Sequence, residues 1–354
     1  MEKDPLNDIR ILKKDVLDKQ IKDPIQLQKR CKQIWQLLET EENTETLNQA
    51  LSILNELIVN AQINPYFRAI LTTTGGAIIE TGKTDAMIIF KSTLSLFMTA
   101  LFRGQEILKA KKDGKDSRGS TIDSNLQKKY PDATFAWTVL DMVCEPMKSM
   151  LIMSKEVRKS IKEHEKHDEI INFIISYSNY HEGCYWVYTT LHIMDGDILV
   201  FHPQSFRGYK IHVTDMIDPM ILSHLCTKNL VGDPNEGFIP AKNSTGTTQF
   251  GLFNWKLMNY LYKEGKEPNM TTWSKTGIDL MKNEDAYIGN GSNMSEVLVF
   301  NNEIPILFLV DYGKTFNFEI HDLGKLKPNL ELVEKMDRAE VETWFSKIRS
   351  LQQK

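Results

Sequence analysis

The chain has 354 residues, 41% of them apolar, and a formal net charge of −4. This length and apolar content suffice for two ordinary domains with separate cores, and the small net charge favours neither a nucleic-acid partner nor an anionic lipid surface. Residues 1–10 are charged and polar and contain no apolar segment typical of a signal peptide. We therefore expect a cytoplasmic protein.

Capping residues followed by proline predict where the first helices begin. Three such pairs are present, namely Asp4–Pro5, Asp23–Pro24 and Asn64–Pro65. Each places a side-chain acceptor at the N-cap and a ring without an N–H at the first helical position. Helices are predicted over about 5–20 and 24–39, over about 45–61 from its apolar spacing, and from residue 65 onward.

The next segments alternate between apolar and charged character. Residues 85–109 form the most apolar predicted helix, but Lys91 and several hydroxyl side chains interrupt a run shorter than a membrane span, so we expect a buried central helix and no membrane span. Residues 111–125 are charged and contain glycine and serine, which predicts a mobile loop. The helical pattern resumes over 131–180, where Pro146 should kink or split a helix.

A glycine-containing stretch at residues 72–84 invites comparison with a phosphate-binding loop. That motif needs four residues between its first glycine and Gly-Lys-Thr, whereas Gly76 and Gly82 enclose five, and Ala77 stands where a glycine is needed. The sequence therefore predicts no nucleotide site here. Gly75 and Gly76 are interpreted as a helix terminus and Gly82 as an interhelical turn.

The period of the apolar pattern changes near residue 180. Helical spacing precedes this point, and short β-branched and aromatic runs follow it. We predict an all-helical domain over 1–178, built as a bundle or a short helical-repeat stack, and an α+β domain over 179–354. The second domain should contain a small, mainly antiparallel sheet with packed helices.

Asp195–Gly196 gives the strongest local signal of the second half. This pair favours a two-residue hairpin turn, which would join strands Thr189–Met194 and Asp197–His202. A third strand is predicted at Tyr209–Val213. A helix should follow over about 218–232, with an aspartate and proline at its start and a glycine at its end.

The last hundred residues carry weaker signals. Further predicted elements are helices at 255–262 and 273–281, a turn cluster at 289–293, and strands at 296–300 and 304–310. Asp337 and Glu340 form the pattern of a capping box, which predicts the start of a C-terminal amphipathic helix.

Four histidines recur at intervals of about ten residues: His181, His192, His202 and His212. In a sheet of adjacent strands this spacing could bring imidazoles together on a metal. The predicted hairpin, however, places His192 and His202 on opposite faces of the sheet. We therefore predict no metal site and no cofactor, and partly buried, hydrogen-bonded histidines instead.

The cysteines are scattered, at Cys31, Cys144, Cys184 and Cys226, with no CxxC pair. This usage predicts reduced, mostly buried thiols. The densest reactive cluster combines His181, Glu182 and Cys184, and a cysteine nucleophile would also need a base beside it and a group that orients the base. His202 completes the set of catalytic candidates.

Aromatic side chains surround the predicted domain boundary, at Tyr180, Tyr185, Trp186 and Tyr188. They are candidates for a ligand or partner surface, or for an apolar seal between domains. No motif identifies a family. The leading hypothesis is an intracellular, non-catalytic interaction or scaffold protein with a protein partner. The alternative is a hydrolase or transferase with a cleft at the domain junction.

Overall fold

The chain forms two compact units, Met1–Leu191 and His192–Lys354. A computed structural model describes residues 4–113, 121–203, 205–239, 272–274, 294, 304–310 and 325–352. The first unit is helical and the second combines a sheet with helices, which confirms the predicted fold class. The division lies later than the predicted boundary at 178/179, because residues 182–191 form one more helix of the first unit.

Eleven helices form the described part of the first unit. In chain order, α1 to α11 span Pro5–Leu17, Pro24–Leu38, Thr44–Val59, Pro65–Glu80, Met87–Arg103, Gln105–Asp113, Ser124–Lys129, Pro131–Met153, Lys155–Lys162, His167–Ser178 and Glu182–Leu191. Their apolar faces share one continuous core that contains Phe90, Trp137 and Tyr177. Helix packing around this core is the main source of stability for such short helices.

The predicted helix starts are confirmed by their caps. α1, α2 and α4 each begin at a proline, and the side chains of Asp4, Asp23 and Asn64 accept hydrogen bonds from the backbone N–H two residues on, at 2.9, 3.0 and 2.8 Å. These bonds satisfy donors that the first turn of a helix leaves without an intrahelical acceptor.

Helix α8 continues through Pro146 instead of splitting there. Proline has no N–H to offer the carbonyl four residues earlier, that of Met142. The hydroxyl of Thr73 on α4 lies 3.2 Å from this carbonyl and 3.0 Å from the carbonyl of Ala69 in its own helix, so its one proton is shared between two acceptors. The contact between α4 and α8 therefore offers part of a donor to the group that the proline leaves without one.

The predicted helix terminus at Gly75 and Gly76 is wrong, since both residues lie inside α4. A Cβ added at Gly76 would lie 2.7 Å from Cβ and 2.8 Å from Cα of Pro146. Glycine at this position lets α4 and α8 approach closely, which the local sequence alone does not reveal. Gly82, with φ of +75°, lies in the turn after α4 as predicted.

Helix α5 buries much of its surface in the helical core, including Ile89, Phe90 and Phe97. Over the described ranges, no single helix is long and apolar enough to cross a membrane. Taken together, α5 and α6 are long and apolar enough for a span by length and composition alone, but the two helices meet at a bend of 47°.

The predicted mobile loop at 111–125 is wrong at both ends. Residues 111–113 belong to α6, α7 begins within the segment, and residues 114–120 lie outside the described part of the chain. Lys111 is buried, and its Nζ donates to the carbonyl of Thr121 at 2.7 Å and lies 5.6 Å from the ring centroid of Trp137. This long side chain buries its stem while its ammonium group keeps polar contacts, so charge alone does not indicate a loop.

Five strands form the described sheet of the second unit. β1 to β5 span Met194–His202, Arg207–Met216, Thr272–Ser274, Ile306–Val310 and Asn329–Met336, and the helices are α12, Pro219–Leu230, and α13, Arg338–Gln352. The strand order is β3-β4-β1-β2-β5. Only the β1–β4 pair is parallel, which confirms the mainly antiparallel sheet.

The predicted hairpin turn at Asp195–Gly196 is wrong because both residues lie inside β1. The two strands are instead connected between His202 and Arg207, and most of the predicted strand Thr189–Met194 is helix or precedes β1. Gly196 has φ of +148°. From the pair Met194–Met216 to the pair Gly196–Val213 the chain advances two residues on β1 and three on β2, so the extra residue of this bulge lies on β2, where Asp215 has φ of +52°. Gly196 therefore lies in a strand opposite a bulge and not in a turn.

Of the remaining predictions, α12 is confirmed, and the strand predicted at 304–310 is confirmed over Ile306–Val310. Trp273 lies in β3 and not in a helix, and β5 had no counterpart among the predicted elements. The predicted elements at 255–262, 289–293 and 296–300, and the remainder of 273–281, lie outside the described residues.

Helix α13 packs on one face of the sheet. Its Val341 and Phe345 join Leu199, Phe201 and Ile306 in a small core, where the rings of Phe201 and Phe345 meet edge to face at 5.5 Å. The helix starts at the predicted capping box. The backbone N–H of Asp337 and of Glu340 each donates to the other residue's carboxylate, at 2.8 and 2.9 Å.

The two neighbouring glycines of α4 give a matched test of the α4–α8 contact. Gly76→Ala should destabilise the protein by about 1–2 kcal/mol, because overpacking against Pro146 outweighs the gain of about 1 kcal/mol in helix propensity. In Gly75→Ala the one close contact is with the flexible end of Ile89, at 2.5 Å, and Leu51 lies at an ordinary 3.7 Å, so this variant should stay close to wild type. Urea unfolding of both variants measures the difference, and equal stabilities would contradict a requirement for glycine at residue 76.

Candidate functional site

Four side chains from two helices meet inside the helical unit. Asp141 and Cys144 lie three residues apart on α8, and His181 and Cys184 lie three residues apart at the start of α11. Residues at this spacing share one face of a helix. Cys144, His181 and Cys184 are buried, whereas the Asp141 side chain is 47% exposed.

His181 is held in place by the start of α11 and by a neighbouring ring. Its carbonyl accepts the N–H of Tyr185 at 3.1 Å, and its Nδ1 accepts the backbone N–H of Cys184 at 3.3 Å. Its ring centroid lies 5.1 Å from that of Trp137. The imidazole therefore caps the helix and points into the interface between α8 and α11.

Gly183 allows α11 to approach α8. A Cβ at this position would lie 2.6 Å from Cβ and 3.0 Å from Sγ of Cys144. The first distance is too short for any non-bonded carbon pair, so a side chain here would push the two helices apart. The absence of a side chain thus places the two thiols next to each other.

The polar atoms of the cluster are close together. The Sγ atoms of Cys144 and Cys184 are 3.9 Å apart, and Nε2 of His181 lies 2.8 Å from Oδ1 of Asp141. The latter contact is short, but it is not aligned as a hydrogen bond. One ligating atom from each of the three buried residues lies within 4.8 Å of the other two.

Mutual contacts shift the pKa values of these groups. Burial alone would lower the pKa of His181, but Asp141 and Cys184 outweigh it and raise this pKa to about 9. Burial alone would raise the pKa of Cys184, but hydrogen bonds with Cys144 and His181 lower it to about 7. The pKa of Cys144 is raised by burial and by its contact with Cys184. For His181 and Cys184 the contacts within the cluster therefore outweigh the effect of burial on the pKa.

The arrangement is suited to three kinds of chemistry. A thiolate beside an imidazole that a carboxylate orients is the set of groups in a cysteine nucleophile. Two neighbouring thiols can form a disulfide after a small approach. Two thiolates and an imidazole that converge on one point can bind a transition metal.

The structure brings together only part of the predicted catalytic set. His181 and Cys184 are in contact. Glu182 is exposed, and because it lies two residues before Cys184 on α11, the two side chains point to different sides of the helix. His202 belongs to the second unit, where its Nδ1 shares a hydrogen bond of 2.6 Å with the hydroxyl of Ser205.

Sequence analysis missed Asp141 as a member of the cluster and treated Cys144 only as a buried thiol. The available signal was the repeated spacing of D-x-x-C on α8 and H-x-x-C at the start of α11. Nothing local to either segment indicates that the two helices are neighbours. Their pairing comes from the tertiary packing of the helical core.

The predicted relation of the sheet histidines is also corrected. His192 precedes β1, so it does not lie on a strand opposite His202. His202 pairs with Arg207 in the sheet, and His212 pairs with Asp197, whose carboxylate it contacts at 2.7 Å. The argument about opposite faces assumed a turn at Asp195–Gly196, and it no longer applies because both residues lie inside β1.

The four aromatic residues of the predicted surface differ in exposure. Tyr185 and Trp186 are 39% and 42% exposed, and their rings meet edge to face at 5.3 Å. Tyr180 and Tyr188 are partly buried and pack against the helical core. The exposed aromatic pair therefore lies on α11, directly beside the residue that contributes its thiol to the buried cluster.

Comparisons with known proteins identify no relative. No protein family, curated protein or solved structure matches this chain.

Gly183→Ala tests whether the cluster depends on close helix packing. The added methyl group should destabilise the protein by about 1–3 kcal/mol, since the Cβ of Cys144 can yield only if α8 moves. Gly232→Ala is the control, because its Cβ would meet Phe238 at an ordinary 3.5 Å. Thermal unfolding measures both, and an unchanged midpoint for Gly183→Ala would contradict the packing described.

Proposed function

We propose that this is a non-catalytic interaction protein whose helical unit presents the aromatic pair Tyr185–Trp186 to a protein partner. The observation that carries the proposal is the position of this pair. Two large aromatic side chains stand about 40% exposed on a short helix whose opposite face is buried in the helical core.

Such a pair has the properties of a binding hot spot. Tryptophan and tyrosine dominate the energy of many protein interfaces, because they bury a large area and lose little conformational freedom. The edge-to-face contact between the two rings restrains them before binding. The buried residues Cys184, Val187 and Leu191 anchor the same helix to the core.

Burial of the thiol and imidazole groups supports a non-catalytic function. Cys184 is 0% exposed and His181 is 1% exposed. A substrate could reach either group only if α11 separated from α8. Four free, buried cysteines also support a reducing, cytoplasmic location, and the net charge of −4 supports a partner other than nucleic acid.

A cysteine-dependent hydrolase or transferase is the second candidate, because one observation favours it. The thiol of Cys184 interacts with the imidazole of His181, and the carboxylate of Asp141 lies 2.8 Å from the same ring, so the residue types are those of a nucleophile, its base and a carboxylate beside the base. The two candidates differ in whether Cys184 is accessible to reagents in the native protein.

The double variant Tyr185→Ala with Trp186→Ala should lower the affinity for the partner at least about tenfold, as truncation of a hot spot does. Crosslinking in the native host followed by mass spectrometry identifies the partner, and calorimetry with the purified partner measures the affinity. Phe102→Ala is the control, since Phe102 is 67% exposed on α5. Unchanged affinity in the double variant, or an equal loss in the control, would overturn the proposal.

Alkylation by iodoacetamide separates the interaction protein from the enzyme. In chelator-treated native protein at neutral pH, Cys184 should react no faster than Cys226, because both thiols are 0% exposed. Both should react readily in denaturant. Rapid, stoichiometric labelling of native Cys184 while Cys226 stays unmodified would make the enzyme the leading candidate.

A further inference from the structure

We infer that the buried cluster between α8 and α11 is a zinc site. Its protein ligands would be the Sγ atoms of Cys144 and Cys184 and Nδ1 of His181, with the carboxylate of Asp141 beside the other ring nitrogen. The inference is independent of the proposed partner surface.

The positions of the donors carry the first step of the argument. Two thiolates bound to zinc at about 2.3 Å with a tetrahedral angle lie about 3.8 Å apart. The two sulfur atoms of the cluster are 3.9 Å apart. Packing alone would also bring two thiols to this separation, but it would not require an imidazole nitrogen within 4.8 Å of both sulfur atoms.

The carboxylate of Asp141 supplies a second, separate observation. A histidine that binds a metal through one ring nitrogen usually directs the other toward a carboxylate or carbonyl, which fixes the orientation of the ring. Nε2 of His181 lies 2.8 Å from Asp141, and the lone pair of Nδ1 accepts the backbone N–H of Cys184 at 3.3 Å. Binding of zinc through Nδ1 would replace this long hydrogen bond, while Nε2 stays beside the carboxylate.

The surroundings of the cluster favour a bound cation. Cys144, His181 and Cys184 are each at most 1% exposed, and both thiols belong to the apolar core that contains Trp137 and Val187. Polar groups buried in such surroundings cost free energy unless they are paired. A metal ion would pair the two thiolates and the imidazole at once.

The set of donor atoms selects the metal. Two thiolates and one imidazole are typical ligands of zinc, whereas magnesium and calcium prefer oxygen ligands. The three protein donors leave one tetrahedral position for a water molecule. When the ion binds, the thiol proton of Cys144 and any proton on Nδ1 of His181 leave for the solvent.

A zinc ion here would link two helices that are distant in the sequence. Asp141 and Cys144 precede α11 by about forty residues, so the ion would connect α8 directly to the helix that carries Tyr185 and Trp186. The sequence-based expectation of no metal rested on His192 and His202, and neither residue is part of this site.

The test is metal analysis of the full chain, purified without chelator or histidine tag and under reducing conditions. Chelator-treated protein reconstituted with zinc and freed of excess metal should retain one equivalent. Cys144→Ser and Cys184→Ser should each lose it. Cys31→Ser and Cys226→Ser are matched controls that replace equally buried cysteines elsewhere, and they should retain it.

The absorption spectrum of bound cobalt reports on the ligands, and circular dichroism reports on the fold. Cobalt-loaded wild-type protein should show a thiolate-to-metal charge-transfer band with the intensity expected for two thiolate ligands. Asp141→Asn changes a half-exposed residue, so it should keep the fold by circular dichroism while lowering metal affinity about 10–100-fold.

Three results would overturn the inference. They are substoichiometric zinc after reconstitution of folded protein, bound cobalt without thiolate charge-transfer absorption, and full retention of metal in both Cys144→Ser and Cys184→Ser. None of these measurements depends on Tyr185 or Trp186, so failure here is distinguishable from failure of the partner surface.

Discussion

The architecture of the helical unit depends on the close packing of α8 against two other helices. On α4, Gly76 leaves room for Pro146, and on α11, Gly183 leaves room for Cys144. Both contacts need a glycine, because a Cβ at either position would lie within 2.7 Å of another carbon atom. The turn of α8 between Cys144 and Pro146 therefore sets the position of a helix on either side of it.

These contacts also explain why a polar cluster can exist inside an apolar core. Pro146 leaves the carbonyl of Met142 without its helical donor, and the hydroxyl of Thr73, which it shares with the carbonyl of Ala69, lies 3.2 Å away. On the other side of α8, close approach of α11 brings the dithiol and imidazole together and leaves Asp141 near the surface. The start of α11 fixes the His181 ring, whereas contacts between helices bring it next to Cys144 and Asp141.

Helix α11 connects the two functional proposals. Its inward face carries Cys184 and its outward face carries Tyr185 and Trp186, so whatever fixes the helix to α8 also fixes the aromatic pair. A partner would contact a rigid helix, and rigid aromatic side chains lose little entropy on binding. The proposed zinc ion would supply that rigidity through two ligands from this helix region.

The sequence by itself determined the elements whose signals are local. Caps next to proline located the starts of α1, α2 and α4, the capping box located α13, and His181 and Cys184 were recognised because they are near each other in the chain. Such interactions span only a few residues. The tertiary structure decided the pairing of α8 with α11, which added Asp141 and Cys144 to the site, and the position of Gly196 inside β1, opposite a bulge in β2. Contacts between distant segments depend on the packing of the whole core, which no short stretch of sequence encodes.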